Sequence, residues 1–261
     1  RYWYEDKVNH DYENYKDKNA VLTKDITVNE GVLSNGVLNT EKESTFRSWT
    51  PIGYYDSDTK TAYNYSGIFD GQGYTISGLY FTDDNKTSVG LFGRNYGKIK
   101  RVNVTDSYFN GNRIVGGVCG YNAGTIEDSN NIDSFVKSSD QNAGGVCGFN
   151  GGTITNCENT GDVTSTGDYV GGVCGFLYQS SCRLENSYNT GDVQGSSHVG
   201  GVCGQQSEGS VDSCYNTGDV TSTGDYVGGV CGYQSGLTSN CYSTGGVTSE
   251  KNGAIVGGVC G

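Results

Sequence analysis

The residues of this 261-residue chain that could do chemistry recur at even spacing: ten cysteines, a set of aspartates and several sets of aromatic rings. Cys119, Cys147, Cys174, Cys203, Cys231 and Cys260 all stand at the same place in a repeated word, GGVCG. Cys157, Cys214 and Cys241 stand just before a second word, NTGDV or a near copy. In the earliest copy Phe92 and Val102 hold these two positions, and Ser129 and Ser187 hold the second position in other copies. An apolar pair replaced by Cys147 with Cys157, Cys203 with Cys214 and Cys231 with Cys241 implies that the two columns face each other inside. Cys182 is placed to serve Cys174 from a turn. Two chemistries remain open: disulfides within each repeat, or a buried stack of thiols acting as small hydrophobes. Cysteine at this density fits an oxidising, extracellular setting. With no CxxC pair, and only His10 and His198 as imidazoles, zinc is poorly supported.

Asp162, Asp192 and Asp219 form a column that could hold calcium with backbone oxygens, since stacked carboxylates repel. Aspartate before a turn more often caps that turn in solvent, and the calcium-binding nonapeptide of other β-helices is absent. Asn131, Asn159, Asn189 and Asn216 form an amide column suited to bonding repeat to repeat. Tyr188, Tyr215 and Tyr242 form one aromatic column; Tyr121, Phe149, Phe176 and Tyr233 follow the cysteine word. Tyr169 and Tyr226 precede that word, with His198 in the same place. Such rings either bind a sugar or a protein partner, or stack on one another to cover the edges of the repeats.

The usual catalytic signatures are missing: no G-x-S-x-G elbow, P-loop or dinucleotide fingerprint occurs. Carboxylates are plentiful enough for a glycosidase-like pair. A lyase acting on polyanions would need basic residues, yet after Arg113 the chain has only Lys137, Arg183 and Lys251. The net charge of −12 likewise disfavours nucleic acid and anionic membrane surfaces. No apolar run approaches the roughly 20 residues needed to span a bilayer.

These positions repeat because the chain does. The second glycine of the word falls at Gly117, Gly145, Gly172, Gly201, Gly229 and Gly258, at steps of 28, 27, 29, 28 and 29. Gly90 in VGLFG extends the frame backward, and Gly67 in SGIFDG is a more distant copy. A period of this length means a solenoid, propeller or similar array. Each period holds short β-prone pieces between Gly, Asn, Asp and Ser, about three strands with turns. A propeller blade needs more residues, and leucine-rich repeats need regular leucines. The period therefore predicts an all-β parallel β-helix of about seven coils. The 43 glycines then serve corners and close backbone approach.

The words GGVCG and NTGDV, together with SGIFDGQGYTISGLYF at 66–81, resemble the GLUG-motif repeats of bacterial surface and secreted proteins. VLTKDITVN (21–29) and WTPIG (49–53) resemble the lead-in before such repeats. The resemblance implies a right-handed parallel β-helix within a large multidomain extracellular protein. Some hosts of such repeats are immunoglobulin-cleaving metallopeptidases, but their HExxH zinc motif is absent. Two regions are expected: 1–65, a charged and aromatic cap in which Trp3, Trp49 and nearby tyrosines cover the first coil, and 66–261, the repeats. With no initial Met, and a last word that stops midway, the sequence reads as a segment of a longer protein. The functional expectation is a secreted or cell-surface module without turnover, a stalk, adhesin or binding surface for a host glycan or protein, needing no cofactor beyond the calcium alternative. The competing expectation is an accessory or catalytic domain of a carbohydrate-active enzyme or an IgA-type peptidase.

Overall fold

A computed structural model describes residues 15–57 and 59–261. The chain winds as a β-solenoid of about seven turns, with coils joined by parallel strand pairing. Sheet I holds the cysteine words and has six strands, from Phe92–Asn95 to Cys231–Gln234. Sheet II has eight strands, from Ala20–Val21 to Leu237–Ser239, and sheet III has eight, from Ile26–Thr27 to Tyr242–Ser243. Sheet IV begins with the long strands Tyr80–Val89, Tyr108–Gly116 and Phe135–Gly144. From then on each coil breaks that strand in two, as in Val163–Ser165 and Val170–Gly171.

One coil therefore runs Cys147–Asn150, Thr153–Thr155, Glu158–Asn159, Val163–Ser165 and Val170–Gly171. That is five short segments rather than about three strands, because turn-forming residues interrupt the chain every few positions. The corner between sheets II and III shows how this is done. Asp128, Asn156, Asn186, Ser213 and Asn240 all take positive φ there, between 48° and 54°. Asparagine and aspartate tolerate this left-handed conformation better than most residues, because their short polar side chains bond locally.

The interior is a set of registered columns. Ile99, Ile126, Ile154, Leu184 and Val211 pair in sequence on sheet II and are fully buried. Val118, Val146, Val173, Val202 and Val230 of the word are also fully buried. Burying a side chain of this kind is worth about 1.5–3 kcal/mol. The word's second glycines stack as expected, Gly117 N donating to Gly145 O at 2.9 Å and Gly145 N to Gly172 O at 3.0 Å. Glycine is needed there because a methyl at Gly145 would overlap the Asn159 amide across the interior, and one at Gly201 would overlap Asn216.

The early coils depart from the sequence frame. SGIFDG is not a copy of the word: Phe69 pairs with Ile99 in sheet II, and Gly67 O accepts from Lys98 N. The counterpart of the word is Pro51-Ile52-Gly53, whose Ile52 bridges Phe92. The similarity was one of letters, since both segments need a glycine at a corner and a ring inside. Sheet pairing already begins at Ala20, and Trp49 packs against the core while its Nε1 donates to Gly90 O at 3.1 Å. Trp3 lies outside the described residues. A hairpin, Leu33–Ser34 with Val37–Leu38, turns at Asn35-Gly36, both at positive φ (53° and 80°), as a tight two-residue connection requires. Asp106 anchors it, accepting the backbone N–H groups of Gly31, Val32 and Leu33 at 2.8–3.3 Å.

Candidate functional site

The cysteine columns stack in the expected register: Phe92, Cys119, Cys147, Cys174, Cys203 and Cys231 pair in order, and Cys231 bridges Cys260. In this structure the ten cysteines are unbridged, with no bond joining Cys147 to Cys157, Cys203 to Cys214, Cys231 to Cys241 or Cys174 to Cys182. Most of the thiols instead donate to a carbonyl two residues away, while Cys182 reaches Asn150 O of the adjacent coil. Cys119 Sγ donates to Tyr121 O and Cys147 Sγ to Phe149 O, both at 3.2 Å. In the second column Cys157 Sγ donates to Thr155 O and Cys214 Sγ to Asp212 O, again at 3.2 Å.

Serine makes the same bond: Ser129 Oγ donates to Glu127 O at 2.7 Å and Ser187 Oγ to Glu185 O at 2.8 Å. It also accepts from the coil before, Cys157 N to Ser187 Oγ at 3.1 Å, just as Cys214 N donates to Cys241 Sγ at 3.4 Å. The second column is therefore a hydrogen-bonding corner that either residue can fill. Burial pushes the Cys147 thiol well above its usual range and Cys157 up to about 12, so neither is a ready nucleophile.

The polar columns are spent in the same way. Asn131 Nδ2 donates to Asn159 Oδ1 at 2.8 Å, Asn159 to Asn189 at 2.7 Å and Asn189 to Asn216 at 2.8 Å, all buried. In the aspartate column Asp162 Oδ1 accepts from Asp192 N, and Asp192 Oδ1 from Asp219 N, both at 3.0 Å. Asp219 Oδ1 accepts from Gly246 N at 2.8 Å. Each carboxylate thus ties its coil to the next. Among the described residues no group of three or more His, Cys, Asp or Glu side chains could hold a metal ion.

A second amide ladder escaped the sequence reading. Asn95, Asn122 and Asn150 are buried on sheet I and bond in series at 2.8 Å. Its signal was present, an asparagine three residues after Phe92, Cys119 and Cys147, but later copies carry Leu177 and Gln206, which hid the column.

The rings remain as the outward-facing groups. Tyr188, Tyr215 and Tyr242 stack nearly parallel, with centroids 4.7 and 5.1 Å apart. Burial, followed by the Glu158 carboxylate, pushes the Tyr188 phenol up to about 12. On sheet I, Tyr96, Tyr121, Phe149 and Phe176 stack at 5.1–6.0 Å, and Tyr178 tilts across Phe149 and Phe176. Gln205 interrupts this column before Tyr233. Beside it Tyr169, His198 and Tyr226 form a neighbouring column, His198 stacking on Tyr226 at 4.9 Å and meeting Tyr233 edge-on. Both columns touch, since Tyr169 meets Phe176 edge-on at 5.4 Å. Rings stacked in this way cover most of one another's faces. What they offer outward is edges, hydroxyls and the faces of rings where a column ends or tilts, such as Tyr242, Tyr178 and Tyr96.

The GLUG motif family model matches residues 139–164, 166–194 and 195–221. These three segments are GLUG repeats. All three carry the cysteine and asparagine columns, and the second and third also carry Tyr188 and Tyr215. The neighbouring coils carry the cysteine column in the same register, through Cys119 before the matched residues and Cys231 after them. A solved structure of a putative immunoglobulin A1 protease from Bacteroides ovatus shares the fold, with a TM-score of 0.62 over 95% of this chain and 81% of that chain, at 16% identity. No curated protein matches the chain. No helix among the described residues is long and apolar enough to cross a membrane.

Proposed function

We propose that this chain is a non-enzymatic GLUG-repeat module of an extracellular bacterial protein, which supplies reach and a ring-lined binding surface for a glycan or protein. The observation that carries this reading is the use made of the polar side chains. Asparagine, aspartate, serine and cysteine columns hydrogen-bond coil to coil or to their own strands. An active site needs a locally unique constellation on a supporting shell; here the same constellation recurs in coil after coil. The rings and the stretch of stacked coils are what is left to meet a partner. Glycan and host-protein arrays probed with the purified chain test the binding half. Binding that falls modestly in Tyr215→Ala and far more when Tyr188, Tyr215 and Tyr242 are all changed supports it. Binding untouched by ring substitutions on either sheet overturns it.

A second reading rests on the fold shared with a protein named as an immunoglobulin A1 protease. In that reading the solenoid is an accessory domain that positions a partner for a catalytic part elsewhere in a longer chain. The two readings share the binding surface and differ in whether turnover depends on it.

A further inference from the structure

Most basic residues of the repeats are already spent. From residue 94 onward Lys98, Lys100, Arg101, Arg113, Arg183 and Lys251 each lie against a carboxylate of this chain. Among the described residues of that region only Arg94 and Lys137 have no such partner. This is notable in a chain with 29 acidic and 17 basic residues, where a carboxylate is seldom far away.

Arg94 is also held in place. Its guanidinium carbon sits 4.1 Å from the centroid of the Tyr121 ring and 5.9 Å from that of Tyr96. Nε donates to Asn64 Oδ1 at 2.8 Å, and one Nη2 proton points toward the Tyr96 hydroxyl at 3.4 Å. Stacking on a ring and one fixed bond orient the planar fork, and the other Nη protons have no acceptor among the described residues. A guanidinium oriented in this way suits a carboxylate, which it can grip with two parallel hydrogen bonds. Lys137 has neither ring nor amide to orient it.

The surroundings narrow the ligand. Arg94 holds the column place before Tyr121, and Tyr96, just past the strand, stacks on Tyr121 while 45% exposed, so part of its face is open to the C–H face of a sugar ring. The Asn64 amide and the two phenol hydroxyls are groups of the kind that pair with sugar hydroxyls. We propose that Arg94, with Tyr96, Tyr121 and Asn64, forms a binding site for a carboxylate-bearing sugar. This deepens the binding reading above and rests on it. The acidity of the whole chain does not forbid an anionic ligand, because charges beyond about 8 Å are largely screened at physiological salt.

The test is titration calorimetry on the whole chain with four probes: an oligogalacturonate, its methyl ester, a sialylated lactose and plain lactose. The first pair isolates a uronate, and the second a sialic-type carboxylate. The site predicts binding of at least one acidic probe and loss of roughly ten- to hundred-fold on removing its charge or in Arg94→Gln, as expected for a charged hydrogen-bonding partner. Arg94→Lys should recover only part of the affinity, since a point charge does not reproduce the fork. An unchanged melting temperature in Arg94→Gln separates lost binding from lost fold. Equal binding of acid and ester, or full binding in Arg94→Gln, overturns the site while leaving the ring surface standing. Binding of a peptide C-terminal carboxylate but of neither acidic sugar overturns the ligand class. Silence of every glycan and protein on the arrays removes the underlying reading as well.

Discussion

Asn159 and Asn131 occupy the same column, yet their replacement by valine should differ severalfold in cost. Asn159 is in the middle of the buried ladder: it accepts from Asn131, donates to Asn189 at 2.7 Å, and donates to Gly161 O at 2.6 Å. Valine there leaves the Asn131 amide N–H, the Asn189 carbonyl and the Gly161 carbonyl short of a partner inside the protein. At about 1–3 kcal/mol for each of the three orphaned buried groups, the loss is roughly 3–9 kcal/mol. Asn131 is the first rung. Its own Oδ1 is buried without a partner, and the residue one coil before it is already Val104. Valine at 131 leaves the Asn159 Oδ1 unpaired but removes a group that was unpaired to begin with, so the net cost should be within about 1 kcal/mol. Urea unfolding monitored by circular dichroism gives both values, with matching slopes confirming that the same surface unfolds. Equal losses for the two variants would refute the view that continuity of the ladder, rather than burial of one amide, is what stabilises the coils.

The glycine word offers a control of the same kind. Gly201→Ala should destabilise by several kcal/mol, because the methyl would overlap Gly229 O and the Asn216 amide, whereas Gly258→Ala in this chain meets nothing within 4 Å and should stay within about 0.5 kcal/mol. For the cysteines, Ellman titration of the unfolded, unreduced chain should count ten thiols, and brief alkylation of the native chain should mark the half-buried Cys241 and Cys260 first. A count short of ten would restore the disulfide reading. His198 sets a pH dependence: burial lowers its pKa below the usual 6.5, against the opposing pull of Asp168 and Asp225. The unfolded chain then takes up this proton first, so stability is fully present above pH 6.5 and declines as pH falls through that value. His198→Tyr, the residue its column carries at Tyr169 and Tyr226, should flatten melting temperature between pH 7 and 5.5 relative to the parent.

How much of this was legible in the sequence follows from what repeats. Wherever a residue type recurs at one step per coil, register is readable, and so the cysteine column from Phe92 to Cys260 and the ladder from Asn131 to Asn216 are where the spacing placed them. Direction across the interior is not readable in that way. Phe92 with Val102 suggested paired columns, but each thiol bonds along its own strand or to the adjacent coil, a choice set by corner geometry that Ser129 and Ser187 had hinted at. The first coils lack the word altogether. Ile52 fills the place of Phe92, and only pairing partners, not spelling, reveal it. Arg94 was invisible for a related reason: it and its partners Asn64 and Tyr121 come from three successive coils, and nothing in the local sequence joins them.

The central claim is that these coils spend their polar chemistry on holding themselves together and meet partners without turning them over. The measurement closest to it is incubation of the purified chain with a panel of polysaccharides and with immunoglobulin A, followed by mass spectrometry of the products over a day. The account predicts unchanged substrates at every time point, while the arrays still register binding. Products that accumulate with time, and vanish when a single carboxylate such as Asp162 or Glu158 is replaced by its amide, would contradict it and make the solenoid an enzyme.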